Sequence, residues 1–185
     1  EHELDRRIVE EIKAPLVHLM RNAVDHGLED SKDRIAAGKP EEGQLEVRVL
    51  HRGGSIRIEI EDDGGGINFD AVKERAADRG WLGRDDDVDR AELIRLLFRS
   101  GLSTADRTDQ ISGRGVGLDV VRRVVETLRG TIDVKSERGQ GTTFVISLPL
   151  TLSVDVGLFV RVGTTRFVVP RVAVQRVVAF TEADV

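Results

Sequence analysis

No cysteine occurs anywhere in the 185 residues. Disulfides, thiolate metal sites and cysteine nucleophiles are therefore excluded, and the composition fits a reducing, cytoplasmic compartment. No apolar run approaches the roughly 20 residues that span a bilayer, so no direct membrane insertion is expected. An excess of positive charge is missing as well. Lys and Arg number 28 against 33 Asp and Glu, a net charge of −5. A general nucleic-acid binder normally carries a basic face, so no nucleic-acid partner is expected; a small anionic ligand in a local site stays compatible with this balance. The chain opens at Glu1 with neither Met nor a signal peptide, and is expected to be a piece of something longer. It shows no internal repeat. Charged residues make up 33% and hydrophobic residues 39%, as in a soluble globular protein long enough for one domain and part of another.

Residues 3–14 have helical spacing, with Leu4, Ile8 and Ile12 near one face. Pro15 then forms a kink or the first turn of a second helix. In that helix Leu16, Leu19, Met20, Ala23 and Val24 share the apolar side, while His18, Arg21, Asn22, Asp25 and His26 share the other. The polar side reads either as a plain solvated face or as a hydrogen-bonding and metal-binding surface. Gly27 is expected to close the helix as a left-handed cap. A short helix over Ser31–Ala37 precedes two strands, in which Leu45, Val47 and Val49, then Ile56, Ile58 and Ile60, alternate with charged residues across the turn Arg52-Gly53-Gly54. Continuing the count of two puts Asp62 on the side of the isoleucines, where a carboxylate is costly unless something pairs with it. Asp63-Gly64-Gly65-Gly66-Ile67 follows at once, a turn that lets a ligand come close.

Helices are expected over Asn68–Asp78, over Arg90–Phe98 and after Gly117, the last with a stripe of Leu118, Val121, Val125 and Leu128 capped by Gly130. Asp85, Asp87 and Asp89 suggest the opening of a calcium loop, but Arg90 and Leu96 stand where that loop needs Gly and Glu, so helix capping is the better reading. Residues 99–114 hold little apolar material and read as a lid or a disordered segment. They run into Gly113-Arg114-Gly115-Val116-Gly117, a glycine turn that feeds a helix N-terminus. Such a turn is an anion site or, equally, a flexible hinge. Strands follow at Ile132–Ser136 and Thr142–Leu148. From Leu150 the strict alternation of Val154, Val156, Leu158, Val160 and Val162 looks like the first hairpin of a separate β domain.

Three motifs in this order, an Asn-bearing helix at 18–27, a strand ending in Asp-x-Gly-x-Gly at 62–66 and Gly-x-Gly-x-Gly at 113–117, resemble the ATP-binding domain shared by histidine kinases, gyrase, Hsp90 and MutL. Phe98 with Leu102-Ser103-Thr104, and Gly141-Thr142-Thr143-Phe144, look like two further boxes of that superfamily. Within it, Pro15–Glu29, Ser112–Val121 and Leu148-Pro-Leu-Thr-Leu152 closely resemble the CheA family of chemotaxis histidine kinases, and His18 stands where gyrase-like ATPases carry a Glu.

The resemblance implies a Bergerat-type two-layer α/β (α+β) sandwich: a mixed, mostly antiparallel sheet with helices on one face and an ATP lid. It implies a kinase catalytic domain over residues 1–150 and the start of an SH3-like regulatory domain, of the kind that binds a CheW-like coupling protein, over 151–185. ATP and Mg²⁺ are the implied cofactors. Asp62 would accept from the adenine amino group, with Gly64, Gly66 and Ile67 against the purine. Asn22 would hold the metal and His18 would sit near the γ-phosphate as the second catalytic group. Arg21, Asp25 and His26 would help to bind nucleotide from the same helix, and Arg75 would be a nearby cation. Ser103, Thr104, Gly113, Arg114, Gly115, Val116, Gly117 and Leu118 would line the lid side, and Thr143 would complete the set. Implied partners are a histidine phosphotransfer domain of the same parent protein, a response regulator indirectly, and the coupling protein and chemoreceptors through the complete regulatory domain. The fragment itself is expected to be monomeric. A gyrase- or MutL-type ATPase and a non-catalytic ATP-binding scaffold are the competing readings.

Overall fold

The computed structural model describes residues 6–84, 86–102, 117–150 and 157–178. The chain divides into two units, Glu1–Thr151 and Leu152–Val185. In the first, α1 spans Arg6–Asn22 without interruption and buries Ile8, Ile12, Pro15 and Leu19. Pro15 thus neither breaks the helix nor begins a new one. Its ring is part of the buried stripe, and that burial offsets the hydrogen bond its missing N–H forfeits.

The helix ends in a π turn over Ala23–Gly27, closed by Leu28 N–H donating to the Ala23 carbonyl at 2.8 Å. Gly27 is therefore not a left-handed cap. The wider turn also breaks the helical phase, which is why Val24, expected on the apolar side, is 56% exposed. A six-residue helix, α2 (Ser31–Ala36), follows.

The sheet has strands β1 (Leu45–Arg52), β2 (Ser55–Asp62), β3 (Thr131–Glu137) and β4 (Gly141–Pro149), in the order β1-β2-β4-β3. All three pairings are antiparallel. Gly53 and Gly54, both at positive φ, form the β1–β2 hairpin turn. Alternate residues Ile58, Ile60, Val134, Phe144, Ile146 and Leu148 are buried and make the core face. Arg48 and Arg57 pair with Glu46, Glu59 and Glu61 on the other. Val47 and Val49 share the parity of the core face but lie exposed, because β1 is an edge strand. Helix α5 (Leu118–Thr127) packs on β3 and against α1, and the π turn rests on β4. The residue at positive φ after α5 is Arg129, not Gly130. Gly130 is needed instead for space: a Cβ there would lie 2.6 Å from the Ser147 carbonyl oxygen.

Helices α3 (Phe69–Asp78) and α4 (Arg90–Leu97) build a smaller core of their own from Phe69, Val72, Ala76, Leu93, Leu96 and Leu102. Asn68 caps α3 by accepting from Ala71 N–H, and Asp89 caps α4 by accepting from Glu92 N–H at 2.7 Å, so Asp89 serves a helix start rather than a calcium loop. The second unit is a hairpin of β5 (Gly157–Val162) and β6 (Thr165–Pro170), turning at Gly163, with Phe159, Val162 and Val168 exposed.

The packing sets an expectation for stability. Leu128, 1% exposed, should cost about 2–5 kcal/mol when replaced by Ala. Val49→Ala, at 64% exposure, should stay within about 0.5 kcal/mol. Urea unfolding of the two variants measures both.

Candidate functional site

Asp62 ends β2 on the core face, opposite Thr142 of β4, and is only 5% exposed. Its carboxylate accepts from Gly64 N–H at 3.1 Å and from the Thr142 backbone N–H. Burial raises its pKa above the ordinary carboxylate value; these two donors oppose the rise, and Asp63 and Glu29 add to it.

The glycines around Asp62 are required by close backbone packing. A Cβ on Gly64 would lie 2.0 Å from the Gly27 carbonyl oxygen, one on Gly141 2.0 Å from that of Asp62, and one on Gly66 2.3 Å from that of Glu137. Gly66 and Gly141 also have positive φ. Two hydrogen bonds tie the layers together: Gly65 N–H to the Gly27 carbonyl, and Gly139 N–H to the Gly65 carbonyl, both 2.8 Å. The end of the π turn, the 62–66 turn and the 137–141 turn thus form one backbone-walled floor. Ile67 leaves it, donating its N–H to Ser136 Oγ at 2.7 Å while its side chain joins the α3–α4 core.

At the end of α1, immediately before the π segment, Asn22 Nδ2 lies 3.1 Å from His18 Nε2. Burial is the main cause that holds the His18 pKa below its usual 6.5; Arg21 lowers it further and Asp119 of α5 pulls the other way. A neutral ring accepts from the Asn22 amide and leaves the amide oxygen as an acceptor for something else. Helix α5 opens at Gly117 and Leu118 with no side-chain cap, so its first N–H groups suit an anion. Among the described residues no cluster of three His, Cys, Asp or Glu could hold a metal ion. The amide oxygen of Asn22 could hold a hard cation only together with ligand oxygens and water, which is how Mg²⁺ is usually bound.

The sequence-predicted residues therefore fall into groups. Asp62, Gly64 and Gly66 come together at the floor. His18 and Asn22 form a second group, with Asp119 of α5 near His18. Arg21, Asp25 and His26 are exposed on the helix and its π turn, and Arg75 is half-buried in the last turn of α3. Ser103, Thr104, Gly113, Arg114, Gly115 and Val116 lie outside the described residues, as does most of the expected lid. The register sets Thr142 beside Asp62, while Thr143 pairs with Glu61 and Lys135 on the opposite face. The parity shared by Thr142, Phe144, Ile146 and Leu148 carried that signal. Sequence reading also missed Arg34, Lys39, Glu29 and Asp63, a polar cluster behind the floor. Arg34 and Asp63 are 29 residues apart, and no local pattern links them.

Residues 11–152 match the family described as histidine kinase-, DNA gyrase B-, and HSP90-like ATPase. The chain is 45% identical to the chemotaxis protein CheA of Rhizobium meliloti (strain 1021) over 93% of its own length and 23% of that protein's. It is 44% identical to the Bacillus subtilis (strain 168) protein of the same name, over 92% and 26%. It thus spans about a quarter of the length of these relatives. A blue-light activated histidine kinase from Erythrobacter litoralis EL346 superposes with a TM-score of 0.47 at 20% identity, covering 80% of this chain and 32% of that one. Among the described residues no helix is long and apolar enough to cross a membrane.

The environment of His18 gives a direct check. In an NMR titration its ring should show a midpoint below 6.5. Arg21→Ala should raise that midpoint yet leave it below 6.5, because burial is the larger cause. A wild-type midpoint at or above the usual value would contradict the neutral ring.

Proposed function

The chain belongs to the histidine kinase-, DNA gyrase B-, and HSP90-like ATPase family, and on that premise we propose that it is the ATP-binding catalytic domain of a CheA-like chemotaxis histidine kinase. The observation that carries this reading is Asp62. An ionised carboxylate at 5% exposure can only accept, so it selects a ligand that offers a donor. Adenine offers its amino group, where guanine offers a carbonyl. The floor beside it is made of backbone, with Gly64 and Gly66 packed against the Gly27 and Glu137 carbonyls, and a flat purine is the shape that would lie along it.

At the other end of the nucleotide, phosphoryl transfer needs mainly positioning and charge neutralisation. Asn22 is the residue that would hold Mg²⁺, which when bound neutralises charge on the phosphate oxygens. His18 fixes the Asn22 amide and stays neutral, able to exchange hydrogen bonds near the γ-phosphate. The start of α5 at Gly117 would receive phosphate oxygens. The γ-phosphoryl group would leave ADP and join an imidazole nitrogen, whose proton goes to solvent. His18 and His26 belong to the pocket helix and its π turn, and His51 lies on the edge strand β1. The reading therefore puts the acceptor histidine on a separate domain of the parent protein, with a response regulator downstream. Residues 1–150 are the kinase domain. Residues 151–185 begin an SH3-like module for a CheW-like coupling protein and chemoreceptors, in the cytoplasm.

Calorimetry with Mg·ATP, with and without the metal, tests the pocket. Asp62→Ala should weaken binding by on the order of 1.5–3 kcal/mol or more, the scale of a charged hydrogen bond in a desolvated site. Asn22→Ala should hurt Mg·ATP binding more than metal-free ADP binding. Parent-like binding by both variants would remove the assignment.

Incubation with γ-labelled ATP tests the transfer. The chain alone should acquire no stable label. Mixed with the histidine-bearing domain of its parent protein it should phosphorylate that domain slowly, because a free acceptor lacks the effective concentration of a tethered one. Binding with no label on the added domain under any condition would favour the scaffold reading. Acid-labile label on this chain alone would make one of its four histidines an acceptor.

A further inference from the structure

Helix α2 buries a single side chain, and that side chain is a charge: Arg34, 1% exposed. Ser31, Lys32, Asp33, Ile35 and Ala36 of the same helix are exposed. A surface helix normally docks through apolar residues, and a buried charge is retained only when its partners are well placed.

The Arg34 guanidinium is surrounded by acceptors. Its Nε donates to the Pro40 carbonyl at 2.8 Å. Its two Nη groups grip Asp63 in a fork, at 3.1 Å to Oδ1 and 2.7 Å to Oδ2. They also reach Glu29 and the Glu42 carbonyl, both at 3.3 Å. Lys39 uses all three of its donors: Glu29 Oε1 at 2.7 Å, the Asp63 carbonyl at 2.9 Å and the Gly64 carbonyl at 2.8 Å.

Those two carbonyls belong to informative peptide groups. The Asp63 carbonyl shares its peptide with Gly64 N–H, which donates to Asp62 Oδ1. The Gly64 carbonyl shares its peptide with Gly65 N–H, which donates to the Gly27 carbonyl. An ammonium on the oxygen end of a peptide fixes its plane and strengthens the N–H at its other end. Lys39 therefore acts on Asp62 through one peptide unit and on the π turn through the next. Three neighbouring carboxylates, Glu29, Asp62 and Asp63, are set against the two cations Arg34 and Lys39.

We infer that Arg34 and Lys39 are positioning residues which hold the Asp62–Gly66 turn in its ligand-accepting shape, and that selectivity for adenine over guanine depends on them. The inference rests on the reading of this turn as the purine end of an ATP site. With Lys39 removed, the Gly64 carbonyl loses its ammonium partner and the Asp63 carbonyl keeps only the longer bond from Arg34 at 3.3 Å, so the peptide whose N–H serves Asp62 is held less firmly. A carboxylate that can turn aside no longer penalises the guanine carbonyl.

The test uses the full chain and compares calorimetric affinities for Mg·ATP and Mg·GTP. Lys39→Met should weaken ATP at least tenfold and reduce the ATP-to-GTP affinity ratio at least tenfold. Lys32→Met, an exposed lysine on α2, should change neither. Should Lys39→Met fail to fold, Glu29→Gln removes the charge from one Lys39 partner and should lower the same ratio by a smaller factor. A ratio unchanged in folded Lys39→Met or Glu29→Gln overturns the inference, and so does an equal loss for both nucleotides with a lowered unfolding temperature, the mark of a merely structural role. Failure of the unsubstituted chain to bind Mg·ATP removes the ATP reading itself, and the inference with it.

Discussion

A carboxylate held out of water at the end of a buried strand face constrains everything placed around it. Asp62 lies where the alternation of β2 puts hydrophobic residues, next in parity after Ile58 and Ile60. Desolvation works against its charge, and among the described residues the backbone N–H groups of Gly64 and Thr142 answer it. The structure keeps those donors in place by bringing three backbone segments to contact distances that admit no side chain at Gly64, Gly66 or Gly141. The site thus has a floor of peptide groups, whose positions are set by the fold rather than by rotamers.

Apolar and polar packing have separate duties here. The stripe of Val121, Val125 and Leu128 joins α5 to the sheet, and the Phe69–Leu102 cluster joins α3 to α4. Both are tolerant in kind, since many hydrophobic side chains of similar volume would serve. The cluster of Glu29, Arg34, Lys39 and Asp63 is the opposite. Its bonds are ionic, and its geometry matters because forked and three-point donors fit few arrangements. The polar cluster stands behind the floor, where small shifts would reach Asp62, and the apolar clusters carry the rest.

What the sequence disclosed follows the range of the interaction involved. Period two placed Asp62 on the core face, and local signals placed the α3 and α4 starts, the Gly53-Gly54 hairpin turn and the stripe of α5. The same parity puts Thr142 beside Asp62. Local rules failed where a distant partner decided the outcome. Pro15 stays within α1 because its ring is buried. Val47 and Val49 lie bare because their strand took the edge of the sheet, which alternation alone does not reveal. Arg34 meets Asp63 across two strands and two turns, and nothing in a short window points to that meeting.

The π turn at Ala23–Gly27 has a consequence for chain length. An α-helix closes each bond over four residues and a π turn over five, so this turn holds one residue more than the straight ladder needs. That surplus uncouples two positions a regular helix would lock together: Asn22 keeps the phase of α1, while Gly27 is turned so that its carbonyl meets Gly65 N–H. The spacing between the amide at one end of the site and the backbone floor at the other is therefore written as a residue count. A deletion within 23–26 would let the ordinary ladder re-form and swing the Gly27 carbonyl off the glycine turn, even if every side chain named in the site were left untouched. In this segment length is as much a part of the site as composition.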